Sequence, residues 1–234
     1  MSFGLIRPPS RLFRLCRSAD PTKLTDWQHL ARSEPGRWAD PDAQYRVLYT
    51  ADSEVGAYVE VLQDLRPRVQ AVDIVECIED DGEFGETLFS VEEAARERLR
   101  QYLIASLMTN VEDRIVECES SATRSEIEGR LFDEFGERRL KTGDCSSGDY
   151  KLTRRVSRLI YTSLDAEGRQ FAGVVAASAE HQPTKCFAYF ETGRETNELR
   201  GNLHVAHARQ ALDEESSLID ALDYLVPNTS AVET

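Results

Sequence analysis

Between Gly36 and Glu60 the chain places a cation, a phenol and a carboxylate close together: Arg37, Tyr49 and Glu60. Their types suggest one pocket. An arginine presents a planar fork that takes phosphate oxygens two at a time, which a lysine cannot do. A tyrosine ring offers a face on which a flat heteroaromatic can stack. A lone glutamate can stabilise cationic character at a sugar carbon, or orient a nucleophile through a ribose hydroxyl, as cleavage of a glycosidic bond requires. Each residue also has a plainer reading. Arg37 could pair with Asp40 or Asp42, Tyr49 could be core, and Glu60 could be an exposed helix acid.

The elements that must position these three are short and adjacent. Gly36-Arg37-Trp38 reads as a tight turn, and Pro41 keeps Asp40 out of the helical region. Residues 45–51 alternate as a strand does, with Tyr45, Val47, Tyr49 and Ala51 on one face. Ser53 is placed to cap a helix running from Glu54 to about Asp64, in which Val55, Val59 and Leu62 recur at helical spacing. Glu60 follows Val59 and so sits at the margin of that apolar stripe.

The rest of the chain bounds what the pocket can serve. No Gly-, Ser- or Pro-rich linker divides the 234 residues, so a single domain over 1–234 is expected, with 227–234 a flexible tail. The formal net charge of −14 argues against a nucleic-acid or anionic-membrane surface, which rewards clustered Lys and Arg. The five cysteines (16, 77, 118, 145 and 186) are scattered, odd in number and never at C-x-x-C spacing. That excludes a disulfide framework and a zinc site as first readings and fits free thiols in a reducing cytosol. No apolar run approaches membrane-span length, and Arg and Pro interrupt the basic N-terminus, so a cytoplasmic protein without a secretory signal is expected.

Along the chain, Arg11–Arg17 alternates weakly as a strand, in which Arg14 reads first as a solvated, edge-guarding charge and only second as a pocket residue. Residues 25–32 suggest a short helix with a surface His29. Residues 69–78 suggest a buried strand, followed by an acidic turn at 79–82 without calcium-loop order. Ser90 and Glu93 form a capping box that predicts a helix from Ser90 to about Met108. A strand over 114–118, a helix over 125–135 and a loop over 141–149 follow. The glycines of that loop fit no phosphate-cradling pattern. Residues 150–163 form an amphipathic helix with Arg154, Arg155 and Arg158 on its wet face. Strands over 171–177 and 186–191 pair across 181–184, and a final helix covers 213–225. Strands interleave with helices without a Rossmann-type turn, which predicts an α+β domain.

The ordered set Leu12-Phe13-Arg14, Gly36-Arg37-Trp38, Val47-Leu48-Tyr49-Thr50-Ala51 and Ala57-Tyr58-Val59-Glu60 resembles the RES domain family. The resemblance continues in Gly173–Ser178 and in Cys186–Glu191, and leaves roughly 69–149 uncovered. It implies a mixed sheet with surrounding helices, similar to ADP-ribosyltransferase toxins. It also brings Arg14 and Ser178 into the pocket. Arg14, Arg37 and Tyr49 would bind the ligand, and Glu60 and Ser178 would be catalytic, with the serine hydroxyl holding a ribose hydroxyl or a carboxamide. A ligand with a diphosphate, a ribose and a positively charged leaving base is NAD+, here a substrate with no separate cofactor or metal. Nicotinamide departs neutral, so one carboxylate suffices. The resemblance further implies an NAD+-degrading toxin paired with a small helix-turn-helix antitoxin of Xre type, with no direct nucleic-acid or membrane binding. Water and inorganic phosphate both remain open as acceptor, as do transfer of ADP-ribose to a macromolecule and a non-catalytic binding role.

Overall fold

The computed structural model describes residues 3–27, 36–65, 83–131, 140–146, 150–178, 184–193, 196–213 and 215–226. Their strands are β1 (Leu5–Ile6), β2 (Arg11–Cys16), β3 (Val47–Ala51), β4 (Leu103–Met108), β5 (Ile115–Glu117), β6 (Gly173–Ala177), β7 (Lys185–Phe190) and β8 (His204–Gln210). Their helices are α1 (Glu54–Leu62), α2 (Glu83–Leu99), α3 (Ser121–Arg130), α4 (Tyr150–Thr162) and α5 (Glu215–Leu225). All eight strands join one sheet in the order β1-β5-β6-β7-β3-β2-β4-β8. Only β5 and β6 run parallel, so the sheet is mixed, and with its helices it makes the α+β domain that the interleaved pattern predicts.

Alternation along each strand divides the core between two faces. On one face α3 and α4 cover the β5–β6–β7 side through Ile127, Leu152, Val156 and Ile160. On the same face α1, α2 and α5 cover the β3–β2–β4 side through Val59, Leu62, Ala95, Leu99, Leu218 and Leu225. The opposite face buries Leu12, Leu48, Leu107, Val175 and Phe187 beneath loop residues such as Leu24 and Leu203. The two helical groups therefore meet along a seam over β3, where Val47 packs with the first and Ala51 with the second. Tyr49 lies between them and keeps 38% of its surface exposed.

Buried charge fastens one end of this arrangement. Arg46, just before β3, meets Glu191, just after β7, with Nε 3.1 Å from Oε2 and a second bond from Nη2 to Oε1. The Arg46 backbone N–H also donates to Glu191 Oε2 at 3.0 Å. Both side chains are buried, Glu191 completely. Asn197 and the Thr25 carbonyl take further guanidinium protons at 2.7 and 3.2 Å, so the pair is held on all sides.

Several expectations from the sequence change. The helix expected from Ser90 to Met108 begins instead at Glu83 and ends at Leu99, and Leu103–Met108 is strand β4. Leu99, Leu103 and Leu107 fit a four-residue repeat, but the 103–108 run is also apolar enough for a strand buried on both sides, and pairing along the whole of β2 decides for the strand. The helix expected over 125–135 starts at Ser121, because Ser120 accepts the Thr123 N–H at 3.1 Å and caps it there. Strand β8 carries no pattern that marks it in the sequence: its side chains are mostly exposed, so the hydrophobic alternation of a half-buried strand is lacking. Expectations for His29, for the 69–78 strand, for the 79–82 turn and for the 227–234 tail lie outside the described residues.

Candidate functional site

The Gly36-Arg37-Trp38 turn is fixed by its carbonyls. Arg154 Nε reaches the Gly36 carbonyl at 3.3 Å, Thr153 Oγ1 donates to that of Arg37 at 2.8 Å, and Ser157 Oγ donates to that of Trp38 at 2.7 Å. Arg158 holds both oxygens of the buried Asp40 at 2.8 Å. Helix α4 thus secures the turn carbonyl by carbonyl. Arg154 and Arg158 are therefore not a wet face, as the helical pattern suggested; their stems leave the helix at its margin, and their charged ends are spent on the turn. Arg155 remains exposed. With Arg158 occupying Asp40, Arg37 is released from the pairing its neighbours suggested, and its Nη1 lies 3.3 Å from the Ala177 carbonyl.

Tyr49 closes the same unit from the strand side. Its hydroxyl accepts the Trp38 N–H at 3.0 Å, and its burial there pushes the phenol pKa up. Gly36 makes this approach possible, since a Cβ at that position would lie 2.6 Å from the Tyr49 oxygen. The ring stays open to the seam while the hydroxyl is anchored.

Glu60 faces Tyr49 from α1. Ser53 caps that helix by accepting the Gly56 N–H at 3.0 Å, and Ala57, Val59 and Leu62 bury its inner side. This leaves Glu60 at the stripe's margin, half-buried, as its position after Val59 predicts. Its Oε1 accepts the Ser178 hydroxyl at 2.5 Å and lies 3.2 Å from Cys186 Sγ. Ser178, just past the end of β6, is fully buried. The hydroxyl expected to hold a ribose hydroxyl or a carboxamide is thus found against the Glu60 carboxylate. Cys186 joins the site without a signal in the sequence, because a lone cysteine in a strand does not show what crosses over it. Burial and the Glu60 charge push its thiol pKa up.

A cavity of about 370 Å³ occupies the seam. Arg14, Arg37, Tyr49, Glu60 and Cys186 line it, together with Trp38 and Tyr150. Arg14 arrives by a different route. It alternates with Leu12 and Cys16, which places it on the far face of the sheet, but β2 and β3 share only the Phe13–Ala51 pair and splay apart beyond it. Arg14 Nη1 is held by the Pro21 and Lys23 carbonyls at 2.5 and 3.2 Å, and burial lowers its pKa. The cavity thus joins two guanidiniums, an aromatic face and a carboxylate. Among the described residues, no three His, Cys, Asp or Glu side chains converge as metal ligands, and no helix is long and apolar enough to cross a membrane.

The RES domain family model matches residues 11–208, most of the chain. Among solved structures, a chain of the crystal structure of the M. tuberculosis MbcT–MbcA toxin–antitoxin complex is similar, with a TM-score of 0.51 and 15% identity over 92% of each chain. At that identity the likeness is one of fold. No curated protein sequence matches significantly.

Proposed function

Because this chain belongs to the RES domain family, we propose that it is the toxin of a toxin–antitoxin pair and acts by cleaving the nicotinamide–ribose bond of NAD+. The observation that carries the reading is Glu60 on the wall of a cavity it shares with Arg14, Arg37 and Tyr49. The volume of about 370 Å³ is at the low end for ligand pockets, enough for the nicotinamide ribose while the adenosine end extends outward.

In this scheme the Arg37 fork binds the pyrophosphate, and Arg14 adds positive charge from the split between β2 and β3. The Tyr49 ring stacks on nicotinamide. The bond from the ribose carbon to the nicotinamide nitrogen breaks with its electron pair moving to nitrogen, so the base leaves neutral and needs no proton. Positive charge grows on the ribose, and the Glu60 carboxylate stabilises it. Water then adds at that carbon and releases a proton, or inorganic phosphate adds to give the 1″-phosphate. Ser178 acts through Glu60 as a positioning residue. The partner in this reading is a helix-turn-helix antitoxin; the fold likeness to a chain from a toxin–antitoxin complex supports an antitoxin partner and says nothing of its fold.

The test is a time course of NAD+ with purified protein and with Glu60→Gln, which keeps size and removes charge. Wild-type protein should release nicotinamide with free ADP-ribose or its 1″-phosphate. Glu60→Gln should lose about 10²–10³-fold in turnover while binding NAD+ almost as well. Label transferred to a macromolecule would instead indicate an ADP-ribosyltransferase, and a folded Glu60→Gln with wild-type turnover would sink the mechanism.

A further inference from the structure

Two donors converge on one oxygen of Glu60. Ser178 Oγ approaches Oε1 at 2.5 Å and Cys186 Sγ approaches the same atom at 3.2 Å, while Oε2 takes no hydrogen bond from a described residue. The strand register explains how the carboxylate comes so close to the sheet. Cys186 on β7 lies between Ala51 on β3 and Ala176 on β6, so its cross-strand neighbours on both sides are alanines. A carboxylate descending from α1 meets a shallow floor there, with the thiol its only polar group from those three positions. Burial and the adjacent negative charge favour the protonated thiol, which suits a donor and opposes a nucleophile.

We propose that Cys186 is a positioning residue, which with Ser178 pins Oε1 of Glu60 so that Oε2 is the oxygen turned toward the substrate ribose. The inference rests on the reading of Glu60 as the catalytic carboxylate. A thiol is a weak donor, so its contribution is mainly orientation. A carboxylate free to rotate presents Oε2 correctly only part of the time, which lowers turnover and leaves affinity to the arginines.

Kinetics of NAD+ consumption by purified Cys186→Ala and Cys186→Ser test the role. Cys186→Ala should lose about tenfold in kcat with an unchanged KM, the scale of one hydrogen bond to a charged group. Cys186→Ser keeps a donor and should recover most of that loss. Wild-type kcat in Cys186→Ala, or a serine variant as slow as the alanine one, would overturn the inference. The contact itself is tested without turnover by iodoacetamide alkylation of Cys186 at pH 8, followed by peptide mass spectrometry. Glu60→Gln removes the charge that holds the thiol proton and should speed alkylation severalfold. An unchanged rate would overturn the contact. Absence of NAD+ turnover in the wild-type protein would count against the proposed function, and the alkylation result would then decide the placement of Cys186 by itself.

Discussion

At the residue scale, each group in the cavity wall is specialised by what holds its other end. Among the described residues the Arg37 guanidinium has one hydrogen bond, to the Ala177 carbonyl, which in the proposed scheme leaves the rest of its fork for a ligand. Arg37→Lys should therefore weaken NAD+ binding by about tenfold or more despite retaining the charge, because a bidentate site is lost; isothermal titration measures it, and an unchanged Kd would remove Arg37 from the phosphate site. Tyr49 divides its work between an open ring and a buried oxygen. Tyr49→Phe keeps the ring but strands the Trp38 N–H, so thermal denaturation should show a loss of about 1–3 kcal/mol while much of the turnover survives. Tyr49→Ala should lose most of the turnover. The sequence did expose Arg37, Tyr49 and Glu60, since all three fall in one short turn–strand–helix segment whose periodicity is plain. It could not expose the Ser178 and Cys186 contacts, because these join positions 118 and 126 residues away from Glu60.

At the element scale, the strand and helices that carry Tyr49, Glu60 and the turn were legible because local capping and alternation agree with the tertiary structure. Helix α1 has its Ser53 cap and α4 its apolar stripe. Strand β4 was not legible, because an apolar run between two partners satisfies either period, and only the β2 and β8 ladders settle it. Nor was the Arg46–Glu191 pair, whose members are adjacent only through the register of β3 with β7. That pair makes a sharp prediction. Glu191→Ala leaves a guanidinium buried beside no counter-charge and should cost about 3–5 kcal/mol of stability by chemical denaturation, whereas replacing both partners with apolar residues of similar size should cost much less. Equal losses in the single and double variants would mean that packing, not charge, is the issue.

For the whole molecule, stability should carry a pH signature from the far face of the sheet. Burial raises the Asp113 pKa, although the Asn202 N–H, at 3.1 and 3.2 Å from its two oxygens, pulls the other way. A carboxyl raised by folding contributes fully below the ordinary Asp value near ~4, and that contribution is lost as pH rises through the raised value. Asp113→Asn should accordingly raise the melting temperature at pH 7, with the gain shrinking as the pH falls to about 4; the same gain at both values would trace it to something other than charge. The order of strands has a further consequence, which concerns synthesis. Arg14, Arg37, Tyr49 and Glu60 leave the ribosome early, but β7, which lies between β3 and β6, and Ser178, which backs the carboxylate, come more than a hundred residues later. Until they arrive, Glu60 has neither of the groups that orient it, and β3 lacks a neighbour on one side. On the proposed function, a chain released or stalled before β7 would therefore be inert, because Cys186 and the strand beside β3 are still missing.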